Sequence, residues 1–346
     1  MSFTITKVYA SDKLMNRQVD ALLMQEGITR DANLDYTAAM LNDDYHVIAT
    51  GSCFGNTLRC FAVDRQHQGE GLLNEIITHL IDVQNTRGNY HLFLYTKPDT
   101  SKFFSDLGFT EIARVPEKLV FMENRRDGFP SYLRALAKTR HEGNSAAIVM
   151  NANPFTLGHR YLIETASAAC DTLHLFVVSE DASLVPYSVR RRLIVEGTAD
   201  ISNLILHDCG PYIISSATFP SYFLKDEATV IESQAKLDLA VFIRIAEALG
   251  ITSRFVGEEP TSLVTGIYNR IMTEALPENG IRCIVIPRKE SGGRPISAST
   301  VRQLLAAGDW ESLSSLVPET TLAFFKSLEA EPILEKIRRS RNVVHY

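Results

Sequence analysis

From residue 146 to residue 286 the chain alternates short apolar runs with longer stretches of helical periodicity, and no other feature narrows its fold as far. The apolar runs at residues 146–150, 173–178, 204–207, 254–256 and 283–286 have strand length, and helical patterns lie between them over 158–169, 188–199, 226–248 and 263–274. Short apolar strands joined by amphipathic helices bury themselves in a mostly parallel sheet covered on both faces. The fold class expected is therefore α/β, with a doubly wound, Rossmann-like parallel sheet whose ligands bind beyond the carboxyl ends of its strands.

Directly after the first of these strands comes Asn153-Pro154-Phe155-Thr156-Leu157-Gly158-His159-Arg160, which breaks at a proline, turns and opens a helix. First-turn N–H groups of a helix have no intrahelical acceptor and the helix dipole is positive there, so glycine followed by histidine at that point suits a phosphate chain. An ordinary strand-to-helix turn with a surface histidine has the same form. A second stretch, Arg294-Pro295-Ile296-Ser297-Ala298-Ser299-Thr300-Val301-Arg302, begins a helix over 300–307 after the last strand. Small hydroxyls there cap the helix or give a phosphate extra donors, and Arg302, one turn on, offers a planar fork of positive charge.

Thr156-x-Gly158-His159 resembles the His-x-Gly-His signature of the nucleotidyltransferase superfamily, with threonine in the first position, and the stretch from Ile296 to Arg302 matches the Ile-Ser-x-Ser/Thr-x-x-Arg signature that closes the same fold. The resemblance implies an ATP site in which Thr156 and His159 meet the nucleotide phosphates, His159 stabilises the transition state, and Asn153, Pro154, Phe155 and Gly158 shape the turn. It implies that Ser299, Thr300 and Arg302, with Ser297 beside them, hold the β and γ phosphates. Attack on an ATP α-phosphate expels pyrophosphate, so charge grows on the leaving oxygens and the site needs fixed donors more than a base. Gly257 and Glu258 follow a strand where relatives bind adenosine, although a solvated turn explains them equally. Arg288 either faces the nucleotide or is a surface arginine, and the choice among Arg190, Arg191 and Arg192 as a phosphate ligand is open. Mg²⁺ is expected to travel with ATP, with no dedicated protein metal site and no tightly bound organic cofactor.

The amino-terminal part has a different grammar. A strand over 3–9, a helix capped by Ser11 with Met15, Val19, Leu22 and Leu23 on one face, and two strands over 45–54 and 57–63 joined by Gly55-Asn56 suggest an antiparallel meander. The second strand runs into Gln66-x-x-Gly69-x-Gly71 and then an amphipathic helix from Leu72, so backbone N–H groups are able to wrap a pyrophosphate there. The glycine spacing is not that of a dinucleotide-binding loop. It resembles the acyl-CoA loop of the GCN5-related N-acetyltransferase (GNAT) fold, and Phe104-x-x-x-Gly108-Phe109 after the strand at 91–95 matches the aromatic-x-x-x-Gly-Phe ending of that fold. No residue is assignable as a base for acetyl transfer, and Glu70 and Tyr95 stay without a role.

These parts give an expected division into a GNAT-like α+β domain over 1–123 that binds acyl-CoA or pantetheine, a linker helix within 124–144, and a nucleotidyltransferase-like domain over 145–346. The chain of 346 residues is long enough for both, and 45% hydrophobic content supplies their cores. A net charge of −6 argues against nucleic acid as a partner, and no apolar run approaches the roughly 20 residues that cross a bilayer, so a cytoplasmic protein without a membrane partner is expected. Five scattered cysteines, Cys53, Cys60, Cys170, Cys209 and Cys283, fit reduced and mostly buried thiols.

The order of the two domains, with both nucleotidyltransferase stretches and Tyr222-Phe223-Leu224-Lys225, resembles the citrate lyase ligase family over the whole chain. That family resemblance implies that ATP and acetate form acetyl-adenylate and pyrophosphate, and that the acetyl group then passes to the thiol of the phosphoribosyl-dephospho-CoA group on the acyl carrier (γ) subunit of citrate lyase. Lys225 then either neutralises acetate or the α-phosphate, or is a surface lysine. The loop from Gln66 to Gly71 is either the receptor for the CoA-like arm or a structural remnant. Competing readings are a pantetheine-phosphate or nicotinamide-mononucleotide adenylyltransferase with an added domain, a non-catalytic CoA or nucleotide sensor, and a free-standing acetyltransferase.

Overall fold

The computed structural model describes residues 3–179, 183–213, 219, 227–258 and 263–340; the side chains of 227, 228 and 263–265 are outside the description. They form two compact units, one of Met1–Tyr132 with Thr218–Ala240 and one of Leu133–Ala217 with Val241–Tyr346.

The first unit contains β1 (Thr4–Lys7), α1 (Lys13–Gln25), β2 (Tyr36–Leu41), β3 (Val47–Phe54), β4 (Thr57–Val63), α2 (Leu72–Thr86), β5 (Phe93–Thr96), α3 (Pro98–Asp106), β6 (Thr110–Val115) and β7 (Leu119–Glu123), followed by α4 (Gly128–Ala137). Its sheet runs β1-β2-β3-β4-β5-β7-β6, and every neighbouring pair is antiparallel except β4 with β5. That parallel pair is in register only at Thr57↔Phe93 and Leu58↔Leu94, so the two strands part beyond Leu58 and Leu94. Cys60 takes a left-handed φ of 53°, and the β3–β4 register shifts between Thr50 and Ser52, the behaviour of a bulge that bends a strand. Gly51 sits at the shift because a Cβ there would lie 2.7 Å from the Ile76 side chain of α2. On α1, Val19, Leu22 and Leu23 share a core with Cys60 and Ala62, whereas Leu72, Ile76, Ile77 and Leu80 of α2 share another with Leu58, Phe104 and Phe109. A mixed sheet with one splayed parallel pair, and a glycine loop between β4 and α2, is the GNAT-like α+β architecture expected from the sequence.

In the second unit, β8 (Ser145–Met150), α5 (Leu157–Ser167), β9 (Thr172–Val177), α6 (Tyr187–Gly197), β10 (Leu204–Asp208), α7 (Glu227–Leu249), β11 (Ile251–Gly257), α8 (Leu263–Glu278) and β12 (Arg282–Ile286) alternate as expected, although α7 begins in the other unit. The sheet is parallel throughout and ordered β10-β9-β8-β11-β12. The chain works outward from β8 to β10 and then restarts on the other side of β8, so the strand order reverses between β8 and β11 and opens a crevice at their carboxyl ends. A two-residue hairpin, β13 (Glu290–Ser291) with β14 (Arg294–Pro295), leads into α9 (Ala298–Ala307), and α10 (Trp310–Ser314), α11 (Glu319–Phe325) and α12 (Glu331–Arg339) follow. Leu313, Phe325 and Ile337 of these last helices share one core with Ile148, Phe155 and Val301.

Several local expectations are corrected. The first strand is confined to Thr4–Lys7, and α1 is capped by Asp12, whose carboxylate accepts the Met15 N–H at 3.0 Å, in place of Ser11. The strand expected from Tyr45 starts at Val47, because Tyr45 has a left-handed φ of 60° and turns the chain. Strands β2, β6 and β7 escaped the sequence reading; β2 and β7 are buried at nearly every position and so lack the alternation that marks a half-exposed strand. None of the five cysteines is in a disulfide, and Cys53, Cys60 and Cys209 are buried. Among the described residues no helix is long and apolar enough to cross a membrane.

Candidate active site

At the carboxyl end of β8 the chain turns through a cis Asn153–Pro154 peptide into Thr156, the N-cap of α5. The cap is reciprocal: Thr156 Oγ1 accepts the His159 N–H at 3.3 Å, and His159 Nδ1 accepts the Thr156 N–H at 3.1 Å. It is a capping box with histidine in the place usually held by Glu or Gln. Because a backbone N–H only donates, Nδ1 must carry the lone pair, and the neutral ring therefore has its proton on Nε2. Burial, with the Arg288 charge adding to it, lowers the His159 pKa to about 4, so the ring is neutral at physiological pH. Nε2 has no partner among the described residues and stands as a fixed, uncharged donor. Phe155, fully buried, stacks on this ring at 6.0 Å.

The closing stretch meets this turn directly. Ser297 caps α9 by accepting the Thr300 N–H at 3.0 Å, and its Oγ lies 2.9 Å from Ser299 Oγ and 2.8 Å from Thr300 Oγ1. Three hydroxyls and the open N–H groups of a first helical turn are thereby gathered at one point. A Cβ on Gly158 would sit 3.2 Å from the Ile296 carbonyl oxygen and 3.4 Å from Thr156 Oγ1, so glycine is what lets the two stretches approach. Arg302 is 4% exposed and donates to the Asn153 carbonyl at 2.6 Å, tying the second stretch to the first from inside. Desolvation lowers its pKa from the usual arginine value.

Arg288 donates from Nε to the Glu258 carbonyl at 2.8 Å, Glu258 N–H is held by the Ile286 carbonyl at 2.8 Å, and Asn269 holds the Gly257 carbonyl at 3.0 Å. The end of β11 and the Arg288 turn are thus one connected piece, whose charge is felt by His159. Asn153 is nearly buried, and its side chain accepts the Val185 N–H at 3.0 Å; Pro154 is buried behind it. Lys225 lies outside the described residues.

The three arginines of α6 have distinct places that spacing alone left open. Arg190 is fully buried and donates to the carbonyls of Asn151, Val178 and Val185 at 2.8, 2.8 and 3.0 Å, joining the loops after β8 and β9. Arg191 pairs with Asp208 and Arg192 with Glu329, both at 3.0 Å.

In the first unit a cleft of about 630 Å³ opens where β4 and β5 separate. Gln68, Gly69, Gly71 and Asn74 line it together with Phe61, Leu73, Phe103 and Phe104. Gly69 and Gly71 hold left-handed φ of 88° and 80°, which keeps the loop open to a phosphate chain. The Gln66 backbone N–H is bonded to the Asp64 carboxylate at 2.9 Å, and Gln66 is not among the residues lining the cleft. Tyr95, which the sequence left without a role, lines this cleft, as do Thr96, Lys97 and Thr100, which the sequence reading did not single out.

A fixed neutral donor on one helix start, set against a hydroxyl-bearing second helix start at the switch point of a parallel sheet, is an arrangement suited to a phosphate chain in an α/β enzyme. Residues 145–325 match the family described as citrate lyase ligase C-terminal domain. The chain is 42% identical to the citrate pro-3S-lyase ligase of Haemophilus influenzae, over 89% of this chain and 94% of that one. It is also 42% identical to the Klebsiella pneumoniae protein of the same name, over 92% and 94%. The chain belongs to the citrate lyase ligase family, and it is a ligase. Solved structures similar to part of it include a GNAT-family acetyltransferase from Staphylococcus aureus, 13% identical, covering 36% of this chain and 100% of that one with a TM-score of 0.31. Another is a GNAT-family N-acetyltransferase from Escherichia coli in complex with CoA, 18% identical, covering 36% and 83% with a TM-score of 0.28.

Proposed function

We propose that this protein uses ATP to join acetate to the thiol of the phosphoribosyl-dephospho-CoA group on the acyl carrier subunit of citrate lyase, and so activates that enzyme. A carboxylate is too poor an electrophile for a thiol. An acetate oxygen therefore attacks the α-phosphorus, the bond to the bridging oxygen breaks, and pyrophosphate leaves with the electron pair. The thiol sulfur then attacks the acetyl carbon of acetyl-adenylate; the carbon–oxygen bond to AMP breaks and the thiol proton is released to solvent.

The supporting observation is the neutral His159 held by Thr156. Its Nε2–H meets the charge that develops on the α-phosphate without a proton having to move, the form of catalysis in which pre-aimed donors contribute most. Thr156 serves chiefly by fixing that ring. Ser297, Ser299, Thr300 and the first-turn N–H groups of α9 receive the β and γ phosphates, which Mg²⁺ accompanies, and Arg302 keeps the two helix starts in register. Gly257, Glu258 and Arg288 border the nucleotide, Arg288 adding positive charge. Lys225 remains a candidate for the acetate carboxylate.

In the first unit, Gly69 and Gly71, in the loop opened by Gln66, receive the pyrophosphate of the CoA-like arm. Beyond Leu58 and Leu94 the facing edges of β4 and β5 lose each other as partners, and the arm's amides are able to pair with those edges as an added strand would. The deciding experiment is exchange of labelled pyrophosphate into ATP. Exchange is expected with acetate and not with phosphopantetheine; exchange with phosphopantetheine alone would overturn the proposal in favour of an adenylyltransferase.

A further inference from the structure

Tyr95 is the first residue of β5 beyond the last β4–β5 pair, so it stands where the two strands part, and it lines the cleft. Its ring stacks on Phe121 at 4.6 Å and meets Phe219 edge-on at 5.8 Å, and the residue is 8% exposed. Buried tyrosine hydroxyls ordinarily find a partner. This one has none among the described residues, and Tyr95 is one of the residues that line the cleft. Close by, Arg59 and Asp31 form an ion pair at 2.5 Å with side chains 1% and 9% exposed. Burial raises the Tyr95 pKa above the usual phenol value, which keeps the group a donor at any pH where the protein is folded.

A cleft lined by the Gly69 and Gly71 loop, by apolar side chains and by one unspent hydroxyl has a counterpart for each part of a pantetheine pyrophosphate: the anion, the largely apolar chain and the terminal thiol or thioester. We propose that the Tyr95 hydroxyl is the end-stop of this cleft, donating a hydrogen bond to the thioester carbonyl of an arm whose pyrophosphate lies on the loop at Gly69 and Gly71. Tyr95 is a binding residue here; it moves no proton and makes no bond. The inference rests on the reading of this cleft as the receptor for the CoA-like arm, and gives that receptor a means of telling the acetylated arm from one lacking its sulfur group.

The test is calorimetric titration of the full-length protein and its Tyr95→Phe variant with acetyl-CoA and with desulfo-CoA, in which hydrogen replaces the thiol. The wild type is expected to favour acetyl-CoA by about 3-fold to 10-fold, the ratio that one net hydrogen bond yields. Tyr95→Phe, which keeps both ring contacts, is expected to bind acetyl-CoA only as well as the wild type binds desulfo-CoA. Binding of both compounds with equal affinity by the wild type, or the same preference in Tyr95→Phe, would overturn the end-stop while leaving the arm receptor standing. No binding of either compound by the wild type would remove the receptor and the end-stop together. The wild-type comparison needs no variant, so a folding defect in Tyr95→Phe does not spare the proposal.

Discussion

His159 performs two tasks through two nitrogens, and a pair of substitutions separates them. Asn at this position retains an oxygen close to where Nδ1 accepts the Thr156 N–H and removes the outward donor; Lys reaches outward with ammonium N–H groups and, having no acceptor, gives up the bond to the Thr156 N–H. His159→Asn is expected to lower acetate-dependent pyrophosphate exchange by about 10²-fold to 10³-fold, or ~3–4 kcal/mol of lost transition-state stabilisation, the effect of deleting one fixed donor at a developing charge. Its unfolding free energy should stay within about 1 kcal/mol of wild type, since the N-terminal cap persists. His159→Lys should show the opposite balance, with more of the exchange rate retained and about 0.5–1.5 kcal/mol of stability lost with the bond to the Thr156 N–H. Because burial holds the ring at a pKa of about 4, this group also imposes no pH dependence on exchange between pH 8 and 5. Exchange by His159→Asn within a factor of ten of wild type would refute the assignment of Nε2–H as the donor.

Gly158→Ala should fold but impair exchange, because its Cβ would press on the Ile296 carbonyl at 3.2 Å and push the two helix starts apart; unchanged kinetics in the variant would show that their spacing is not critical. His174 and His207 stack in β9 and β10 with Nδ1 and Nε2 2.9 Å apart, and burial lowers both pKa values to about 4. A histidine depressed from 6.5 to about 4 lets the unfolded chain bind more protons between those values, so the stability it confers is complete above about pH 6.5 and is lost as pH falls toward 4. His174→Asn, which keeps the contact to His207 and deletes the buried, unpartnered Nε2, should flatten that loss in urea titrations at pH 7 and pH 5. Replacing Gly69 and Gly71 by valine, at φ values that β-branched residues avoid, should slow acetylation of the carrier subunit at least 10-fold and leave pyrophosphate exchange intact; equal losses in both assays would count against a separate arm site.

Much of the second unit was legible because its signals are local. Each parallel strand buried on both faces is a continuous apolar run, and helix starts announce themselves through Thr156 and Ser297. The first unit was legible through its glycine loop and its Phe104-to-Phe109 ending, but less so in its strands, because β2 and β7 are buried over nearly their whole length. What spacing does not encode is which of several like residues turns inward. Arg190, Arg191 and Arg192 are adjacent, yet among them Arg190 is the one that reaches the carbonyls of the loops after β8 and β9, since successive helical residues point about 100° apart. Tyr95 could be given no role from spacing: its place in the cleft comes from the parting of β4 and β5, which depends on a bulge at Cys60 and on long-range pairing.

The threonine at position 156 looks like the loss of an imidazole when only the motif is considered, but its hydrogen bonds point to a different demand on that position. A group at the N-cap of α5 must accept the N3 backbone N–H, and threonine is among the side chains best suited to do so. In return the Thr156 N–H and hydroxyl both face His159 Nδ1, at 3.1 and 2.9 Å, and together they specify one tautomer and one ring orientation. Thr156→Val keeps the shape and the backbone donor but deletes the hydroxyl, leaving the His159 N–H uncapped and the ring held by a single bond. The turn should therefore survive with about 1 kcal/mol of stability lost. The exchange rate should fall by less than it does in His159→Asn, because the outward donor is still present and only its aim is relaxed. A Thr156→Val protein as inactive as His159→Asn would mean that the hydroxyl itself touches the nucleotide, and that the position kept the direct role of the imidazole it replaces.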